Sequence, residues 1–193
     1  MTEFLLIVFS AALVNNIIVL GIVGADPALA FMRKMDVAKG LCLTMLVLLP
    51  LVAVSGHLID TWLLLPLHLE YLQLLVFVST IILITLLLKK YGRLLNQKLD
   101  ARINVFLPFA GINTAVLGTM LLSLEFSNTF LKSLAFGIGT ALGFSLVLLL
   151  MTAAIERLEV ADVPSPFKGL PIILISLALI SMAFMGFSGL VLH

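Results

Sequence analysis

Two short polar stretches interrupt an otherwise apolar chain, Asn15-Asn16 and Asn113-Thr114, and a carboxylate, Asp26, follows the first of them just before Pro27. An amide in lipid needs a hydrogen-bond partner, so Asn15, Asn16 and Asn113 should face the interior of a helix bundle. Two roles fit them. They can tie helices together or satisfy a break in a backbone ladder, or they can line a path for an ion or an electron. Asp26-Pro27, placed after Gly24, reads either as a plain helix stop or as a carboxylate at the end of a broken helix. Carboxylates inside a membrane carry protons or cations. With Thr114, these residues form the candidate ion path: Asp26, Asn15, Asn16, Asn113 and Thr114.

The remaining reactive side chains point elsewhere. His57 and His68 flank Asp60, but their spacing is not that of a metal motif, and Trp62 beside them reads as an interfacial anchor. Asp60, Glu70 and Glu125 fall at span ends or in loops. Cys42 is the only cysteine, so it makes no intrachain disulfide and no multi-cysteine metal site. Its expected role is small apolar packing. No nucleophile elbow, phosphate loop or paired-histidine motif occurs, and no catalytic or metal-binding residue is assigned to this chain.

Composition says what must position these groups. The chain has 193 residues, 62% of them hydrophobic and 11% charged, with a mean hydropathy of +1.27. Soluble domains are roughly half apolar and a quarter charged, so this is an all-α polytopic membrane protein. The runs are continuous rather than alternating, which excludes an outer-membrane barrel. The net charge of +1 says nothing about a nucleic-acid partner, and the lack of a basic, aromatic-interleaved patch argues against one. Met1-Thr-Glu3 lacks the basic start of a cleavable signal.

Six spans are predicted: about Phe4–Gly24, Val37–Gly56 with Pro50 inside, Leu69–Leu88, Ile103–Leu124 with Pro108 inside, Phe130–Ile155 with Gly137, Gly139 and Gly143, and Leu170–Leu192. About 20 apolar residues cross the hydrocarbon core. The connections are short, and the whole of 1–193 reads as a single membrane domain. Arg33, Lys34, Lys39, Lys89, Lys90, Arg93, Lys98, Arg102, Arg157 and Lys168 lie after spans one, three and five, while only Lys132 lies on the other side. The positive-inside rule makes the basic side cytoplasmic and places both termini outside.

The halves, about 1–97 and 98–193, carry a weak internal repeat. Asn16-Ile-Ile-Val-Leu-Gly21 matches Asn113-Thr-Ala-Val-Leu-Gly118 at four of six positions. With three spans in each half, the repeats are inverted with respect to the membrane. In that architecture sites form near the midplane from interrupted helices.

One stretch is unusually stiff: Val160-Ala-Asp-Val-Pro-Ser-Pro-Phe-Lys-Gly169. Each proline holds the residue before it out of the helical region, which makes a short connector between two spans. The longer block Glu156-Arg-Leu-Glu-Val-Ala-Asp-Val-Pro-Ser-Pro-Phe-Lys-Gly169, followed by Ser181-Met-Ala-Phe-Met-Gly-Phe-Ser-Gly-Leu190, resembles the C-terminal part of the Rnf A-type subunit. It is similar, more loosely, to the Nqr E-type subunit. The likeness extends to Thr2-Glu3, Leu13-Val-Asn-Asn16, Pro66-Leu-His-Leu-Glu-Tyr71, Phe106-Leu-Pro108, Ala115-Val-Leu-Gly118 and Gly143-Phe-Ser-Leu-Val147, and so covers essentially the whole chain.

The resemblance implies a six-helix subunit paired with a homologous membrane subunit of opposite orientation. It implies a place in a complex of the bacterial cytoplasmic membrane that couples electron flow between NADH and ferredoxin or quinone to Na+ or H+ movement. Flavins and most iron–sulfur centres would lie on partner subunits. It also implies cysteines at two positions of this subunit, which with two from the homologue hold a two-iron two-sulfur cluster in the membrane. Here those positions are Asp26 and Thr114. Cluster ligands are thiolates, with histidine the usual substitute, so no cofactor is expected on this chain. Two readings follow: a redox-complex subunit without these ligands, or a cluster-free cation or proton transport module with Asp26 as carrier. Six spans in about 200 residues also suit a small amino-acid exporter, which neither the asparagines nor the proline-rich block supports.

Overall fold

The computed structural model describes residues 2–18, 34–95, 97–126 and 129–187, and these are nearly all helical. Helix α1 is Thr2–Phe9 and continues through a π-helical turn, Ser10–Val14. α2 is Met35–Ile59, α3 Gln73–Leu95, α4 Gln97–Ile112, α5 Thr114–Phe126, α6 Phe130–Val160 and α7 Leu170–Met185. Among the described residues, three helical stretches are long and apolar enough to cross a membrane: Met35–Leu67, Glu70–Tyr91 and Phe130–Val160. Ile103–Ile112 and Thr114–Glu125 make a fourth if the bent pair counts as one span, and Glu3–Val14 and Leu170–Met185 are shorter apolar helices.

Helices α2 and α6 form the centre. Of the most apolar stretch of each helix, 67% is buried in α6 and 56% in α2, against 11% in the outer α3. Leu41, Met45, Leu48, Leu49 and Val52 of α2 meet Phe144, Val147, Leu148 and Met151 of α6 in one apolar core, joined by Val116 and Met120 of α5. Lipid tails are as apolar as leucine, so close packing rather than water exclusion must hold such helices together. Glycines on α6 supply it. A Cβ on Gly139 would lie 2.6 Å from the Val8 carbonyl oxygen of α1, and one on Gly137 would lie 2.7 Å from Pro50 Cα of α2. Two positions apart on a helix is about 200° of rotation, so α6 offers smooth faces to α1 and α2 on opposite sides.

Two polar contacts fix how the helix ends meet. Glu156, near the end of α6, accepts a 2.9 Å hydrogen bond from the backbone N–H of Met35 at the start of α2. Lys132, near the start of α6, lies 3.6 Å from Glu3 at the start of α1. Helices α1 and α6 therefore begin at one end of the bundle, and α2 begins at the other. The lysine that stands apart from the other basic residues in the sequence is thus paired with a carboxylate.

Several expected boundaries shift. The second helix does not stop near Gly56. It runs on through a π-helical turn, Asp60–Leu64, to Leu67, so His57 and Asp60 are helical rather than in a loop. His68, with φ +54°, ends it in the left-handed region. The third and fourth helices extend to Leu95 and back to Gln97, so the basic connection is mostly helical. The first span is interrupted at Asn15-Asn16 and the fourth at Asn113. Of the sixth expected span, the part beyond 187 lies outside the described residues.

Candidate functional site

The two interruptions are built alike. At the second, the Asn113 N–H donates to the Ala110 carbonyl at 3.1 Å, and the Asn113 carbonyl accepts from Val116 N–H at 3.0 Å. The Asn113 side-chain oxygen accepts from Ala115 N–H, two residues on, at 2.9 Å. This is helix-capping chemistry: the side chain takes one of the N–H groups that a helix start leaves without a partner. The axis bends by 65° between α4 and α5. At the first interruption, the Asn16 oxygen accepts from Ile18 N–H, again two residues on, at 3.1 Å. Its amide nitrogen donates back to the Ala12 carbonyl at 2.9 Å. Asn15 closes the π-helical turn, its N–H donating to the Ser10 carbonyl at 2.7 Å and its amide to Ser10 Oγ at 3.2 Å.

Both capping asparagines are buried. The sequence left their role open between a structural one, tying helices or satisfying a backbone break, and the lining of a path for an ion or an electron. In the structure both side-chain oxygens satisfy a backbone break, with one inter-helix contact added. Gly143 of α6 lies so close to the first elbow that a Cβ there would stand 2.5 Å from the Ala12 carbonyl oxygen and 2.7 Å from Asn16 Nδ2. Asn16 and Asn113, the aligned residues of the internal repeat, therefore make the same contact, each oxygen accepting from the N–H two residues on.

Thr114 is the first residue of α5 and is exposed, beside Ile112, which is 84% exposed. Its hydroxyl is a neutral donor and acceptor. Asp26 lies outside the described residues. Cys42 is buried in α2, its thiol 3.7 Å from the Ser145 carbonyl of α6, and it stands among core residues rather than at either elbow. The donor set at the Asn113 elbow thus does not fit an iron–sulfur cluster, which needs thiolate or imidazole. Among the described residues, no group of three or more His, Cys, Asp and Glu side chains converges to hold a metal ion. Four buried threonine hydroxyls serve the helices themselves: Thr44, Thr119, Thr140 and Thr152 each bond the carbonyl four residues back.

Sequence reasoning missed the tertiary cap from Glu156 and the central place of α6. The i, i+4 spacing of Gly139 and Gly143 was the available signal for the second.

Residues 4–191 match the family described as "Rnf-Nqr subunit, membrane protein". Among curated proteins, the chain is 41% identical over 191 residues to the A component of the ion-translocating oxidoreductase complex of Shigella boydii serotype 4 (strain Sb227), an overlap covering 99% of each chain. The proteins of the same name from Escherichia coli O139:H28 (strain E24377A / ETEC) and from Escherichia coli (strain K12 / DH10B) are 41% identical over the same share.

Proposed function

This chain belongs to the Rnf-Nqr family of membrane subunits, and from that premise we propose that it is the A-type membrane component of an ion-translocating oxidoreductase complex and contributes no cluster ligands of its own. It spans the bacterial cytoplasmic membrane six times as two inverted halves, with both termini outside. Its partners are a homologous subunit of opposite orientation and the subunits that carry flavin and iron. The observation that carries this reading is the pair of capped elbows at Asn16 and Asn113. Matched breaks in corresponding helices are the device by which inverted-repeat membrane proteins bring backbone and side chains to a shared midplane site. The parallel starts of α1 and α6, with α2 beginning at the opposite end, agree with the proposed topology.

The reaction belongs to the assembly: the chain supplies the membrane frame and partner subunits supply the redox groups. The test is purification from native membranes in mild detergent, with partners identified by mass. Recovery with a homologous membrane protein and with flavin- and iron-bearing subunits is the expected result. Recovery of the chain without any redox subunit would overturn the proposal.

A second reading rests on the hydroxyl that heads α5, where the resemblance implies a thiolate, and on the carboxylate at Asp26. These polar oxygens suit a cation or proton better than a cluster. In this reading the fold works as a cluster-free transport module with Asp26 as the carrier. Asp26→Asn then abolishes ion uptake by proteoliposomes, and unchanged uptake would remove this reading.

A further inference from the structure

The stiff connector between α6 and α7 has no part in the elbows, yet it frames a cavity of about 310 Å³. Ile155, Ile172 and Ile173 form apolar walls, while Glu159, Lys168 and Gly169 lie at its charged and open side. Pro164 and Pro166 stiffen the segment that closes it. Gly169 has φ +88°, and a Cβ there would meet nothing within 4 Å, so this lip is open.

Two features say what the cavity takes. Glu159 and Lys168 carry opposite charges around one small space and form no ion pair with each other. Large apolar side chains are also bare at this end, Val160 at 90% and Leu170 at 62% exposure, and the apolar surface continues down α7 through Leu174 and Leu179. At 1.5 Å per residue, the 31-residue α6 is about 46 Å long against a hydrocarbon core of about 30 Å. Its charged end thus falls at headgroup depth.

We propose that this cavity seats the headgroup of an aminophospholipid, its phosphate on Lys168, its ammonium on Glu159, and its acyl chains along the exposed face of α7. A purely anionic headgroup would satisfy Lys168 and be repelled by Glu159. A choline headgroup has the right charges but no N–H to donate to the carboxylate. This site stands apart from the ion or electron path and needs only that the chain resides in a membrane.

The test uses the full chain, with the partners it carries, in nanodiscs of phosphatidylethanolamine and phosphatidylglycerol at equal proportion, with retained lipid read by native mass spectrometry. A parallel set replaces ethanolamine with choline lipid. The expected result is enrichment of the ethanolamine lipid by about fivefold over bulk, the scale of one exposed ion pair. Glu159→Gln brings the ratio to bulk, Lys168→Ala lowers retention of both lipids, and Lys132→Ala changes nothing. Retention at the bulk ratio by the unaltered chain, equal enrichment of choline lipid, or an unchanged ratio in Glu159→Gln would each overturn the proposal. Glu159 is exposed on α6, so if Lys168→Ala misfolds, Glu159→Gln still decides.

Discussion

Asn113→Ala isolates the elbow chemistry. The substitution leaves the backbone free to follow the same path but removes the oxygen that accepts from Ala115 N–H at 2.9 Å, at a site only 2% exposed. Losing a helix cap costs about 1 kcal/mol. A buried N–H left without an acceptor adds a desolvation cost of about 1–3 kcal/mol. Because the two figures overlap, we expect a loss of about 2 kcal/mol, or roughly 30-fold in the ratio of folded to unfolded protein. The assay is reversible unfolding in bicelles by added SDS, followed by loss of helicity. Asn113→Ser is the informative control, since its hydroxyl keeps an acceptor at the cap and should recover most of the loss. Asn16→Ala should be destabilising too, since it gives up both the cap to Ile18 and the amide bond to Ala12. Should Asn113→Ala unfold within about 0.5 kcal/mol of the unaltered chain, or Ser prove as costly as Ala, the capping account is wrong.

Four further outcomes are expected. Gly143→Ala forces a methyl against the Ala12 carbonyl and Asn16 and should cost about 1–3 kcal/mol, the range for overpacking, in the same assay. Glu156→Ala should speed amide hydrogen exchange in the first turn of α2, where the carboxylate holds Met35 N–H, by about fivefold for a cap worth about 1 kcal/mol; unchanged exchange at Met35 would count against that cap. A double-mutant cycle on Glu3 and Lys132, which are 80% and 45% exposed, should return no more than about 1 kcal/mol and vanish in 1 M salt, where screening acts within about 3 Å. Asp26→Cys combined with Thr114→Cys, expressed with the homologous membrane partner, should raise bound iron and give a cluster signal in electron paramagnetic resonance where the unaltered chain gives none. Equal iron in both would refute the view that the replaced ligands decide.

Much of the frame was legible in the sequence because a membrane leaves few choices. Continuous apolar runs demand helices, and the asparagines announced the breaks at Asn16 and Asn113. Asn113 shows how far this goes: its place was readable, but its use as a cap depends on backbone angles that only the folded chain displays. Asp60 shows a limit. Next to His57 and ahead of Pro66, it reads as a loop, yet the helix absorbs it through a π-helical turn and continues to Leu67. Pro66 follows the π-helical turn and stands one residue before the helix ends at Leu67, so its missing N–H affects only the last turn. Glu156 shows another limit. Its partner is 121 positions away in the chain, and no local pattern can pair a carboxylate with a helix start at that distance.

The pairing of α2 with α6 also governs the order of assembly during synthesis. It is the most extensive helix contact among the described residues, and about 70 residues separate the end of one helix from the start of the other. At a translation rate of about 5–20 residues per second, α2 waits roughly 4–14 s for its mate. Throughout that interval Ala53 and the backbone around Pro50 face lipid or a chaperone. Gly137, when it arrives, must find Pro50 already oriented. The two halves therefore interlock rather than mature in turn. A nascent chain halted before α6 would present α1 and α2 to the membrane quality-control machinery as a single unfinished surface.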